Sequence, residues 1–225
     1  MSSHGSVKRS PLFRSVRVGD IAYVAENLEV FRDVSRWIAE YLGQPHAKLG
    51  RPGTVCPFAQ SALALDSLHV AVIRLHRGNK KAQITEAIQY HLQAFVSRVV
   101  PDHERILHAT LMLFPDVSLE EAAELIDRTK EELKPGFIER GLMLGEFHAR
   151  NESPGLHNPE FRPLRSPTPM LAIRHMVPTD LVFLNRSEYD ESTRLRYLQA
   201  YLAVPQMPPA NREEAERAAA ELGPR

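Results

Sequence analysis

The sequence predicts an α/β (α+β) chain, with a single-layer mixed sheet of four to five strands in the order β-α-β-α-β-β-α and a helical N-terminal extension. Three observations carry that prediction. Short runs of aliphatic and β-branched residues alternate with stretches whose apolar residues recur every three or four positions. Two such strand-helix-strand units in succession imply partly parallel pairing. A long Pro/Gly/Asn-rich loop, 149–169, then separates the last two strand-like runs, which can pair antiparallel.

Taken in order, residues 1–18 read as flexible and "DIAYVA" (20–25) as a short strand. Leu28, Phe31, Val34, Ile38 and Leu42 form one helical stripe over 26–43. "GQPHAKLGRPGTVCP" (43–57) is a Gly/Pro loop, and "AQSALAL" (59–65) a short helix. "LHVAVIRL" (68–75) is apolar on both faces at its centre, which predicts an interior strand. A helix over 84–99 carries Ile84, Ile88, Leu92, Phe95 and Val99 on one stripe and ends at Pro101. "HATLMLF" (108–114) is the next strand. Ser118 and Glu121 have the spacing of a capping box, which opens a helix predicted to stop at the "KPG" after Leu133. "LMLGEF" (142–147) and "MLAIRHMV" (170–177) are the remaining strands, and a last amphipathic helix covers 187–202. The predicted organisation is a flexible 1–18, one domain over 19–204, and a charged tail or frayed helix over 205–225.

Composition narrows the function classes. Lys+Arg and Asp+Glu are equal at 28 each, without the basic excess that phosphate neutralisation demands of a nucleic-acid binder. The single cysteine, Cys56, excludes internal disulfides and Cys-based zinc sites. The polar, basic N-terminus has no apolar core of a secretory signal, and no stretch approaches the length of a membrane span. A cytoplasmic protein is expected, with no nucleic-acid or membrane partner, acting on a small molecule. A homodimer is an open alternative to a monomer. Phosphate-binding Gly loops, Gly-x-Ser-x-Gly and His-Glu-x-x-His patterns are missing from the sequence.

Three segments compete for a site. In "RPGTVCPFA" Cys56 is a packed hydrophobe, a nucleophile, or a wall or ligand of a cofactor pocket; Arg51 and the start of the following helix would favour its thiolate. In "GEFHARNESPGLHNPEF" Glu146 and His148 share a strand face two residues apart, and His157 comes next in the loop. An imidazole at such a mouth ligates iron or moves a proton, or the segment is a solvated loop. In "PLRSPTPMLAIRHMVPTD" Arg174 sits inside an apolar strand and needs an anion: a substrate acid group, or an internal carboxylate such as Glu146 or Asp180. His175 points to the opposite face.

At "VCPFAQSALALDSLHVAVIRL" (55–75) the chain resembles the start of the YqcI/YcgG family, which includes the heme-dependent N-hydroxylase of guanitoxin biosynthesis. Cys56, Phe58 and Ala59 match in order, although Val55 stands where that family has Pro. "CPF…GEFH…PMLAIRHMVPTD" is also similar to a group of actinobacterial Cys-Pro-Phe proteins. The resemblance implies a b-type heme between the Cys-Pro-Phe turn and the long loop, with Pro57 and Phe58 as walls. His148 would be the leading iron ligand, with His157 and His175 behind it. Arg174 or Arg165 would pair with a propionate or the substrate carboxylate, and Cys56, Glu146 and Arg174 would serve the reaction. The activity implied by the resemblance is that of a heme-dependent monooxygenase, which N-hydroxylates an amine or guanidine and takes electrons from a donor. A non-catalytic binding module and a cofactor-free Cys56 nucleophile are the alternatives.

Overall fold

Four strands pair into one sheet in the computed structural model, which describes residues 18–205 and 207–222. They are β1 (Leu68–Val72), β2 (Ala109–Leu113), β3 (Leu142–Phe147) and β4 (Met170–His175), in the order β1-β2-β4-β3. β1 and β2 are parallel. β4 is antiparallel to both its neighbours, so the long loop returns the chain into the gap between β2 and β3. The mixed α/β class predicted from the sequence is the class observed.

The register divides the sheet into two faces. Val70, Val72, Leu111, Leu113, Met170, Ala172 and Arg174 share one face. It packs against Val34 of α2 (Leu28–Trp37), Ile38 beyond it, and Ala59 of α3 (Ala59–Ala64), with α1 (Val18–Glu26) preceding them. Met112, Leu144, Leu171 and Ile173 share the other face. There Ile84, Ile88, Leu92 and Phe95 of α4 (Lys80–Ser97) are buried with Phe137 of α5 (Arg128–Ile138). Each such side chain stabilises the fold by roughly 1.5–3 kcal/mol. A third cluster joins Ile138 and Met143 to α6 (Leu181–Leu184), α7 (Glu191–Leu202) and α8 (Pro209–Leu222).

Several local expectations are corrected. "DIAYVA" lies in helix α1, because Ile21, Val24, Ala25 and Leu28 form an i, i+3, i+4, i+7 stripe that the short window hides. β1 is an edge strand and half-buried over most of its length, so an apolar run says nothing of its neighbours in the sheet. Val99 is exposed beyond the end of α4. The capping box forms, with Ser118 N donating to Glu121 Oε2 at 2.9 Å and Glu121 N to Ser118 Oγ at 3.3 Å. Its helix does not stop at "KPG" but runs through Pro135 to Ile138, since burial of Phe137 and Ile138 outweighs a proline cost of about 3 kcal/mol. The last predicted helix begins at Glu191, where Asp190 accepts from Thr193 N at 2.9 Å. The stretch expected as a charged tail or frayed helix forms α8, which buries Ala215 against α7; Met207, just ahead of it, is buried too. Residues 1–17 of the expected flexible terminus lie outside the described residues, and Val18 already belongs to α1. Among the described residues no helix is long and apolar enough to cross a membrane.

Candidate functional site

The sheet separates the residues that the sequence singled out. Cys56 is half-buried on the α2/α3 face, packed with the cluster that holds Val34, Leu111 and Met170. Arg174 points to that same face and pairs bidentately with buried Asp180, at 2.6 and 2.7 Å. Burial pulls the guanidinium pKa down, but the Asp180 hydrogen bonds and charge, with a contribution from Cys56, hold it above its ordinary value. Of the two internal carboxylates open to Arg174 in the sequence, Asp180 is therefore the one it uses. Arg51 donates to the carbonyls of Pro52 and Val55. Pro57 is exposed and Phe58 half-buried at the head of α3.

Glu146 and His148 lie on the other side, against α5. Glu146 pairs with Lys130 at 3.2 Å and accepts from Ser153 Oγ at 3.4 Å. His148 is 2% exposed, and its Nε2 meets both oxygens of Asp127 at 3.0 Å. Its Nδ1 is buried without a hydrogen-bond partner. One turn further along α5, buried Lys134 donates to the Tyr189 hydroxyl. Burial, with the charge of Lys130, pushes the Lys134 amine down to about 8. Burial also lowers Lys130, but Glu146 and Glu131 outweigh it and leave its pKa raised. Asp127, Lys130, Glu131 and Lys134 thus form a polar stripe at helical spacing. A π-helical turn, Ala123–Asp127, sets its first member opposite His148.

The two loops expected to frame a heme do meet, in direct contact. Gly50 has φ +77°, and a Cβ there would lie 2.5 Å from the His157 carbonyl oxygen. Asn158 Nδ2 donates to the Lys48 carbonyl at 2.8 Å, and His46 stacks on Phe161 at 4.6 Å. His157 is exposed. Arg165 is exposed, bound to Glu152 at 2.5 Å and to the Asn151 carbonyl, while its own carbonyl accepts from Trp37 Nε1. The residues proposed for a heme therefore do not converge: His148 is sealed behind the sheet from Cys56, and Arg174 already has its carboxylate.

What the structure brings together instead is a cleft of about 290 Å³ at the end of the sheet where β4 finishes and β2 and β3 begin. His175 and Met176 floor it. Arg105 and Asp102 come from a 3₁₀ segment (Asp102–Leu107) ahead of β2, and Glu139 and Arg140 from the turn ahead of β3. That turn is closed by Gly141 at φ +67°, a left-handed conformation that favours glycine. Ile106, Val204 and Met207 supply apolar wall.

Behind His175 a row of rings continues inward. His108 lies 6.1 Å from His175 and 5.4 Å from His69 between ring centroids, with Phe95 stacked on it at 4.4 Å. Arg98 contacts His108 Nε2 at 3.3 Å; a guanidinium only donates, so Nε2 accepts and the neutral ring carries its proton on Nδ1. Burial, then Arg98 and His175, push His108 down to about 4. Burial, then Arg105, push His175 to about 4 as well. Both rings are neutral at pH 7. Among the described residues no group of three or more His, Cys, Asp or Glu is placed to hold a metal ion.

Of the predicted site residues only His175 lines this cleft. Arg105, Arg140, Asp102 and Glu139 carry no motif, and the one signal for them is their position at the two ends of predicted strands.

The profile of a family described as Domain of unknown function (DUF6875) matches residues 31–214, and the chain belongs to that family. No curated protein and no solved structure matches the chain.

Proposed function

We propose that this member of the DUF6875 family is a small-molecule-binding α/β domain whose ligand occupies the cleft at the end of the sheet. The observation that carries the reading is the pairing of an apolar wall with a charged rim in one concave space. Ligand sites combine these features, and they typically measure about 300–1,000 Å³. At about 290 Å³ the cleft suits a compact ligand. A second trough, lined by Ile21, Val24, Ala25 and Leu28, offers no polar group to orient one.

The chemistry available is recognition rather than bond-making. Arg105 and Arg140 attract an anionic group, and Ile106, Met176, Val204 and Met207 exclude water from an apolar body. His175 is the one neutral imidazole on the wall, able to accept or donate a hydrogen bond.

Thermal-shift screening of small acids, amines and neutral compounds tests this. A ligand of the cleft raises the Tm of the wild type in a concentration-dependent way and leaves Ala203→Trp, which fills the cleft from the end of α7, unmoved. A set in which nothing shifts the wild type, or in which Ala203→Trp shifts equally, overturns the reading. Expression with a heme precursor separates it from the heme-dependent alternative: a Soret band in the purified protein would favour a heme pocket over the cleft.

A further inference from the structure

We infer that the ligand of the cleft is a monocarboxylate with an apolar body, and that Arg140 is the residue that selects its charge. The inference rests on the cleft being the binding site and adds the chemical class of what it takes.

The four charged side chains on the wall, two arginines and two carboxylates, cancel in number, but they are not paired evenly. Arg105 pairs with Asp102 at 3.4 Å. Glu139 is met from outside the cleft by Arg196 at 3.9 Å. The Arg140 side chain is left with one hydrogen bond, to the carbonyl of Gly136 in the last turn of α5, and has no carboxylate among the described residues. His175 adds no charge at neutral pH, because burial and Arg105 keep its imidazole deprotonated. With Arg196 counted beside the wall, the cluster holds one more positive than negative charge, and Arg140 is its one guanidinium that faces no carboxylate among the described residues.

One positive charge matches one negative charge. A phosphate dianion would stay half-compensated, and the ammonium of a zwitterion would find both carboxylates already engaged. The guanidinium keeps free N–H donors in a planar fork, which a carboxylate accepts in parallel pairs. The rest of the wall sets the body of the ligand. Ile106, Met176, Pro178, Val204 and Met207 are apolar, so a hydroxylated or charged body would lose hydration without replacement.

Calorimetric titration of the full chain with hexanoate and phenylacetate, with their neutral amides, and with inorganic phosphate tests the inference. We expect each carboxylate to bind at least tenfold tighter than its amide, and phosphate not to bind. Arg140→Gln should erase the carboxylate preference and leave the amide affinity unchanged, while Arg140→Lys should restore part of it. Amides that bind as tightly as the acids, or a preference that survives in Arg140→Gln, overturn the role of Arg140 and leave the cleft standing. The same holds if phosphate or an amine binds in the cleft and the carboxylates do not. If Ala203→Trp fails to weaken any of these bindings, the cleft itself is the wrong place and both readings fall.

Discussion

Along the interface of α5 and β3 each buried ionisable side chain meets a partner: His148 meets Asp127, Glu146 meets Lys130, and Lys134 meets Tyr189. At the cleft, the Arg140 side chain has only the Gly136 carbonyl of α5. The two regions draw on the same residue types, and they differ in whether the protein supplies the counter-group. A charge sealed in the interior must be paired by the chain, since desolvation costs several kcal/mol per ion. A charge at the mouth of a cleft can wait for a ligand, since water solvates it meanwhile. Asp180, sealed beside the half-buried Arg174, obeys the first rule. The position of Arg174 in an apolar strand marks it as unusual, and Asp180 rather than a ligand resolves it.

The largest expected effect tests the paired side of this contrast. Asp180→Ala removes the carboxylate from Arg174 and the acceptor from Val177 N, and should cost about 3 kcal/mol or more in urea denaturation. A cost below about 1 kcal/mol would mean that Arg174 is solvated well enough to have served a ligand instead.

Acid comes next. His108 and His175 have folded pKa values of about 4, below the ordinary 6.5, so between those values the unfolded chain holds more protons. The contribution of these two rings is therefore constant above about pH 6.5 and is lost as the pH drops toward 4. The loss should be roughly 2 kcal/mol per histidine once partial solvent screening is allowed for. Denaturation curves at pH 7 and pH 4.5 should show it, and His108→Phe, which keeps the stacking on Phe95, should remove about half.

Lys134 has the smaller effect and the opposite mutational sign. Its folded pKa of about 8 lies below the ordinary 10.5, so wild-type stability rises as the pH climbs from 8 to 10.5. Lys134→Met should stabilise the protein by about 1–2 kcal/mol at pH 7, and the gain should shrink at pH 10. A loss at pH 7 would show that the Tyr189 contact more than offsets desolvation.

Arg140→Gln should change stability by no more than about 0.5 kcal/mol, because the side chain is exposed. A drop of 2 kcal/mol would make Arg140 a cap of α5 and place it with the paired groups of the interior.

Elements whose signal is local were legible in the residues. The α4 stripe from Ile84 to Phe95, the Ser118–Glu121 box and the apolar β2 run are read from neighbours a few positions apart, and each formed, although α4 opens at Lys80 and leaves Val99 outside. Pairing of the last two strands across a long loop was legible too, because antiparallel return is what two such runs permit. Tertiary packing decided the remainder. It carried α5 through Pro135 for the sake of Phe137 and Ile138, and it docked α8, whose composition alone suggests a tail. It also sorted the candidate residues. Glu146 and His148 share a face as their spacing requires, but only the sheet determines that Cys56 lies on the other side. The cleft joins side chains from four stretches, at 102–106, 139–141, 175–178, and 200–205 with Met207, which have no sequence signal in common. Periodicity is a property of a segment. A site is a property of which segment ends meet, and that is settled by strand order and burial.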